Sequence, residues 1–154
     1  MVYTLNHAEM QDWMRYALTL AQNALPHDVP VGAVFLDAEG KCIAEGVNTR
    51  EKDNNPLGHA ELNAMLEVAQ RQGDWRLNEL TLIVTLEPCA MCANALKQAR
   101  IGQVVFGAYD LTEGEAPSKV LQSDGGVLKV IGGILEEEAK ETLKTYFKSK
   151  RGMP

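Results

Sequence analysis

The sequence has 154 residues, of which 45% are hydrophobic and 23% charged, and its formal net charge is −6 at pH 7. These values fit one domain, residues 1–154, and exclude a protein that coats nucleic acid through overall positive charge. No apolar run approaches the roughly 18 residues that span a bilayer, and residues 1–11 lack a secretion signal. We therefore expect a cytoplasmic protein without a membrane partner.

The first third of the chain predicts a helix followed by a β-hairpin. Asn6 precedes Glu9 by three residues, the spacing of a capping box, and apolar residues then recur at three- and four-residue steps. Two apolar runs, 31–36 and 42–47, flank a short connection that contains glycine, which predicts two paired strands. We expect Cys42, which begins the second run, to be a buried free thiol.

The remainder of the chain alternates between helices and strands. A polar segment leads into a helix over 59–72, and an apolar stripe that includes Leu62 and Leu66 predicts its buried face. The polar stretch 109–126 is the longest irregular region and a candidate substrate loop. Strands are predicted over 80–86, 103–108 and 128–134, and further helices over 90–99 and 136–148.

This alternation predicts an α/β fold. Strands and helices that follow one another along a chain build a sheet covered by helices, because each element must bury one apolar face. We expect three layers, α/β/α, with a central mixed sheet of about five strands and helices on both faces. At least one connection should be a parallel crossover.

Two short motifs in the middle of the chain carry chemistry. Glu61 follows His59 by two residues, and residues 88–92 read P-C-A-M-C, which places Cys89 and Cys92 three apart. Zinc accepts nitrogen and sulfur ligands, and a catalytic zinc site uses three protein ligands and leaves the fourth position open. We predict that His59, Cys89 and Cys92 bind Zn²⁺. Glu61 is then the natural general acid and base.

Two other interpretations of these motifs compete with a catalytic zinc site. A C-x-x-C pair in a reducing compartment can be redox-active, and a zinc ion can have a purely structural role. Glu61 and the proline before the first cysteine argue against a redox pair. A structural zinc site usually has four protein ligands, and this set supplies three.

The combined motif H-x-E…P-C-x-x-C is the signature of zinc-dependent nucleobase deaminases. At these residues the chain resembles the cytidine and deoxycytidylate deaminase superfamily, and within it the bacterial tRNA adenosine deaminases of the TadA type. The resemblance extends over nearly the whole chain and includes segments 29–34, 85–92, 100–102 and 105–108. It implies hydrolytic deamination of adenosine to inosine at the tRNA wobble position, by a homodimer that binds the anticodon loop.

The resemblance also implies which residues contact the substrate. Asn48 would hydrogen-bond the base, Val31 and Leu86 would line its pocket, and Asp110 would meet the sugar or the backbone. Phe147, in the closing helix, belongs to the same substrate-binding set. By residue type alone, Asn48 and Asp110 are equally typical of strand-end turns, and Val31 and Leu86 of a core.

Two segments depart from the family pattern. Residues 55–58 read N-P-L-G where the family commonly has D-P-T-A, and the loop 112–123 carries Glu113 and Glu115 where a Gly-Ser or Gly-Thr step is expected. These departures and the negative charge leave open a deaminase of a free purine base or nucleoside, of the guanine or guanosine type. Cytosine-type substrates and a non-catalytic, zinc-stabilised subunit are further alternatives, although Glu61 has no use in the latter.

Overall fold

A five-stranded mixed sheet lies at the centre of the structure, a computed structural model that describes residues 1–110, 119–122 and 128–152. The strands are β1 Gly32–Leu36, β2 Cys42–Val47, β3 Thr81–Leu86, β4 Gln103–Ala108 and β5 Lys129–Ile131. The helices of the described residues are α1 His7–Ala21, α2 Ala60–Gln72, α3 Ala90–Gln98, α4 Lys119–Gln122 and α5 Glu136–Arg151, and a 3-10 turn, Gln22–Ala24, follows α1.

The strand order is β2-β1-β3-β4-β5. β1 pairs antiparallel with both β2 and β3, whereas β3, β4 and β5 run parallel. The beginning of β1 therefore lies beside the carboxyl ends of β3 and β4, at one edge of the sheet. That edge is where loops and helix starts meet, and ligands of open α/β sheets bind there.

Helices cover both faces of the sheet, which confirms the predicted three-layer α/β/α architecture. Consecutive residues of β1 point to opposite faces: Val34 belongs to the same buried cluster as Met14 of α1, and Phe35 belongs to the same cluster as Ala64 of α2. Each face has its own buried apolar cluster, one beside α1 and the other beside α2 and α3. Continuous burial along β1 follows from this double coverage.

The predicted local signals of the first third are confirmed. Asn6 Oδ1 accepts the Glu9 N–H at 2.8 Å, and a Glu9 carboxylate oxygen accepts the Asn6 N–H at 3.1 Å, which completes the capping box. The runs predicted as a hairpin pair as β1 and β2. Asp37 Oδ1 stabilises their connection by accepting the N–H groups of Glu39 and Lys41, at 2.9 and 3.0 Å.

Two burial predictions are wrong. Cys42 is exposed, because it begins β2, the edge strand of the sheet. Leu66 is 61% exposed, and α2 instead buries a face that contains Ala64 and Val68. A Cβ atom at Gly46 of β2 would overlap the Ala60 carbonyl oxygen, so the helix lies too close to the strand for leucine side chains.

The structure also changes two element boundaries and the long irregular stretch. β5 ends at Ile131, before two glycines, and α5 continues to Arg151. The stretch predicted as irregular contains the short helix α4, and most of the candidate substrate loop 112–123 lies outside the described residues. Within the described ranges, no helix combines the length and apolar character needed to cross a membrane.

Candidate metal centre and substrate cleft

The two chemical motifs lie at the beginnings of two helices. His59 is the N-cap residue of α2 and Cys89 is the N-cap residue of α3, each with an extended backbone conformation. Neither side chain caps its own helix. Both are therefore available to turn toward each other, and Cys92, one turn into α3, joins them.

The spacing of these three side chains fits a zinc ion. His59 Nδ1 lies 3.5 Å from Cys89 Sγ and 3.4 Å from Cys92 Sγ, and the three ligand atoms lie within 4.8 Å of one another. Tetrahedral zinc with usual bond lengths places a nitrogen and a sulfur ligand about 3.6 Å apart. Among the described residues, this is the group of His, Cys, Asp and Glu side chains that could hold a metal ion.

The three candidate ligands share protons. A hydrogen bond with Cys92 lowers the pKa of the Cys89 thiol to about 4, although burial opposes the shift. The same contact raises the pKa of the Cys92 thiol, and a hydrogen bond with Cys89 raises the pKa of His59. A bound cation requires thiolates and a neutral imidazole, so binding would release the remaining protons.

Glu61 lies in the first turn of α2 and is almost fully buried. Burial raises the pKa of its carboxyl to about 7, and the nearby Cys89 adds to the shift. A carboxyl with this pKa exchanges protons near neutral pH, as a general acid and base requires. A strongly shifted carboxyl beside a cleft and a metal-ligand group is also typical of an active site.

A cleft of about 600 Å³ opens beside this group. His59, Glu61 and Cys89 line its floor. The structure places every residue predicted to contact the substrate on its walls: Val31, Asn48, Leu86, Asp110 and Phe147. Their individual roles stay predictions, but one cavity brings all of them together with Glu61 and two of the candidate ligands, His59 and Cys89.

The sheet topology explains why these distant residues meet. Val31 precedes β1 and Leu86 ends the antiparallel neighbour β3, so both lie at the same edge of the sheet. Asp110 follows the end of β4, and its N–H donates to a carboxylate oxygen of Glu87 at 3.0 Å. α5 packs against β4 and brings Phe147 to the opposite wall.

Asn48 is held in place by the protein itself. Its Nδ2 donates to the Val29 carbonyl oxygen at 3.2 Å, and its Oδ1 accepts the Arg50 N–H at 3.1 Å. A side-chain amide has two N–H donors and two lone pairs. One donor and one lone pair of Asn48 are therefore left for a base in the cleft.

Several cleft residues were not singled out in the sequence. Asp28 and Glu87 are buried acids that line the cleft. Asp28 directly precedes the resemblance segment 29–34, and Glu87 lies within segment 85–92. These positions are the signal that could have identified them. Lys140 and Lys144 line the α5 wall with Phe147. Their spacing of four and three residues marks one face of a helix.

A second cavity of about 850 Å³ adjoins the cleft. It lies between the segment that follows the 3-10 turn and the exposed side of α5. Glu51 and Tyr146 line both cavities, so they form the partition between them.

Residues 7–108 match the family described as the cytidine and deoxycytidylate deaminase zinc-binding region. The match spans well over half of the chain and includes Glu61 and all three candidate ligands. The chain belongs to this family.

Two known proteins that are similar to this deaminase are tRNA deaminases. It is 41% identical over 143 residues to the tRNA-specific adenosine deaminase of Haemophilus influenzae. This alignment covers 90% of this chain and 83% of that protein. It is also similar, with a TM-score of 0.77 and 32% identity, to a solved structure from a study of A-to-I editing by tRNA:A34 deaminases at the wobble position. That match covers 86% of this chain and 99% of the other.

A guanine deaminase from Nitrosomonas europaea has the same fold. Its TM-score is 0.77 at 23% identity, over 95% of this chain and 86% of the other. At that identity the similarity concerns the fold, not the substrate.

Proposed function

We propose that this deaminase converts adenosine to inosine at the wobble position of a tRNA anticodon, with residues 1–154 as one deaminase domain. The observation that carries the proposal is the 41% identity with a tRNA-specific adenosine deaminase across 90% of the chain. The cleft supports it, because the residues expected to contact the base line the same cavity as Glu61 and two of the candidate metal ligands, His59 and Cys89.

In this proposal His59, Cys89 and Cys92 hold a zinc ion. The nitrogen–sulfur distances fit that ion, and the matched family is zinc-binding. Zinc held by three protein ligands supplies a Lewis acid that makes water nucleophilic near neutral pH. The start of α2 is the positive end of its helix dipole, which favours the negative charge that develops there.

Glu61 moves the protons of the reaction. Deamination replaces the C6 amino group of adenine with an oxygen from water and releases ammonia. The Glu61 carboxylate accepts a proton from the attacking water and returns it to the nitrogen that leaves. Burial raises the pKa of this carboxyl, which favours the protonated state from which the proton is returned.

The walls of the cleft orient the base. Asn48 lines the cleft and keeps one donor and one lone pair for the base, and Val31 and Leu86 would provide apolar surfaces for the purine ring. Asp110 and Phe147 contact the sugar, the backbone or a neighbouring base. Together these residues would hold the C6 amino group near Glu61, and correct orientation contributes strongly to enzymatic rate.

We further propose that the deaminase is a cytoplasmic homodimer. Leu57 and Leu66, just before α2 and within it, are 57% and 61% exposed. Large exposed apolar side chains are typical of interaction surfaces, and a second copy of the chain would cover these. Light scattering at micromolar concentration should give a mass near twice 16.9 kDa. A monomer in that measurement contradicts the dimer.

The function is tested with the purified, zinc-loaded protein and two groups of substrates. The first is an anticodon stem-loop with adenosine at the wobble position, and the second comprises free adenosine, guanosine and guanine. Inosine is measured chromatographically after nuclease digestion, and ammonia release is measured in parallel. A stem-loop with guanosine at the wobble position is the matched control.

We expect inosine in the stem-loop and no turnover of the free compounds. If a free purine is turned over and the stem-loop is inert, the substrate is a free purine and not tRNA. The metal centre and the role of Glu61 would stand in that case.

A further inference from the structure

Asp28 is a buried carboxylate in the wall of the cleft to which the proposed mechanism gives no role. It is 1% exposed and lies between the 3-10 turn and β1. Asp28 Oδ1 accepts the Glu51 N–H at 2.7 Å, and Oδ2 accepts the Lys52 N–H at 3.1 Å. Burying a carboxylate costs free energy unless its oxygens accept hydrogen bonds. These two bonds therefore compensate for the burial of Asp28.

These bonds fasten the middle of segment 48–58, whose ends carry Asn48 and lead into His59. The segment is closed at its base, where the Thr49 N–H donates to the Gly58 carbonyl oxygen at 2.8 Å. Asp28 adds the contact that ties the segment to the remainder of the protein at its centre.

One of the two fastened residues, Glu51, forms part of the substrate site. Glu51 lines both the cleft and the neighbouring cavity, and Arg50 lines the cleft beside it. A displacement of this segment would shift the partition between the two cavities and the Arg50 N–H that orients Asn48. Asp28 therefore acts on the site through the backbone.

We propose that Asp28 is a positioning residue for the RNA substrate: by holding the N–H groups of Glu51 and Lys52 it fixes this wall of the cleft and so sets the affinity for the stem-loop. The inference rests on the proposed function. Asp28 acts through segment 48–58 and moves no proton in the reaction, so it should affect KM rather than kcat.

The substitution Asp28→Asn preserves the shape of the side chain and breaks its hydrogen-bonding pattern. An amide has one acceptor oxygen, and its NH₂ group would face the second backbone N–H. Asp28→Glu retains two acceptor oxygens and serves as the conservative variant. Asp37→Asn is the control for the loss of a carboxylate charge: Asp37 accepts two backbone N–H groups through the single oxygen Oδ1, in the β1–β2 connection away from the cleft, so its amide can keep both bonds.

The experiment measures KM and kcat of the four zinc-loaded proteins with the anticodon stem-loop. For Asp28→Asn we expect KM to rise about tenfold, the effect of losing one charge-assisted hydrogen bond that keeps the wall in its binding conformation, with kcat within about twofold of wild type. The KM of Asp28→Glu should lie between those of Asp28→Asn and wild type. The KM of Asp37→Asn should match that of wild type. Amide hydrogen exchange over 49–53 should be fastest in Asp28→Asn, intermediate in Asp28→Glu and unchanged in Asp37→Asn.

Other results overturn the inference. A KM for Asp28→Asn equal to that of Asp37→Asn, or unchanged exchange over 49–53, removes the positioning role. A loss of kcat with constant KM would move Asp28 into the chemistry. If Asp28→Asn does not fold, the KM and exchange of Asp28→Glu decide. An inert wild type would overturn the proposed function itself, whereas the outcomes above with an active wild type concern only Asp28.

Discussion

The metal centre and the substrate wall of this deaminase are built in different ways. The metal centre takes its four side chains from two short motifs, each at the beginning of a helix that packs on the sheet. The substrate wall takes its residues from separate parts of the chain, from the segment before β1 to α5. Chemistry thus depends on local spacing, and recognition depends on long-range packing.

This difference has a functional consequence. Substitutions in the two motifs should abolish the reaction or the metal, because each side chain has one task and no substitute. Substitutions in the wall should weaken binding by degrees, because several contacts share the work. Four experiments test that contrast.

The largest effect is expected for Glu61→Gln. The amide preserves the shape of the side chain but cannot accept and return a proton, so kcat/KM should fall about 10³-fold. Zinc content, measured by mass spectrometry of the metal, should stay unchanged. Glu67→Gln, on the exposed side of the same helix, is the control and should remain active. Loss of zinc and folding in Glu61→Gln would show that the acid–base assignment is wrong.

The same substitution should change the pH dependence of stability in the metal-free protein. The pKa of Glu61 is raised from 4.5 to about 7 in the folded state, so the folded protein favours the protonated carboxyl. The contribution of protonated Glu61 to the free energy of unfolding is therefore fully present below pH 4.5 and is lost as the pH rises through about 7.

Gln cannot ionise, so Glu61→Gln should be more stable than wild type by about 3 kcal/mol at pH 8. The advantage should fall to about 0.8 kcal/mol at pH 5. Urea unfolding of both chelator-treated proteins under reducing conditions measures this difference. An advantage of equal size at both pH values would mean that burial does not shift the pKa of this carboxyl.

A smaller effect is expected for Gly46→Ala, which separates β2 from the start of α2. The added Cβ would overlap the Ala60 carbonyl oxygen and lie 2.8 Å from the Ala64 nitrogen. We expect a loss of about 2 kcal/mol in unfolding free energy, as for an overpacked core, together with weaker zinc binding. Gly152→Ala is the control, since its Cβ would meet nothing closer than 3.6 Å. If Gly46→Ala leaves the zinc affinity unchanged, the metal centre does not depend on the packing of α2 against β2.

The smallest effect is expected in the wall. Phe147 is about half exposed and lines the cleft on α5, so Phe147→Ala should raise KM for the stem-loop about tenfold, the effect of losing one stacking contact with a base. Phe147→Leu retains apolar bulk without the ring and should lie between. Steady-state kinetics measures both variants. A fall in kcat larger than the rise in KM would place Phe147 with the chemistry rather than with binding.

The sequence predicted the layers of the fold and the grouping of His59, Cys89 and Cys92 well, because both leave local patterns. The capping box of α1, the hairpin and the spacing of Cys89 and Cys92 depend on residues a few positions apart. The positions of the substrate residues came from family resemblance, because Val31 and Phe147 are adjacent only after β1 and α5 have packed on the sheet.

Other features depended on distances that no local pattern contains. α2 carries two apolar stripes, and periodicity alone favoured the one with larger side chains. Because the helix lies close to Gly46, the stripe with small side chains is buried and Leu66 is exposed. Asp28 went unnoticed for a similar reason, since its backbone partners lie 23 and 24 positions away.

The thirty positions between His59 and Cys89 give the metal centre a second significance. An ion held by both residues would be a cross-link that closes a loop containing all of α2 and all of β3, the middle strand of the sheet. A covalent cross-link of that span restricts the unfolded chain enough to stabilise a protein by about 3 to 4 kcal/mol. The ion that equips this deaminase for chemistry would therefore also tie its central strand to its helical layer, so that loss of metal costs activity and resistance to unfolding together.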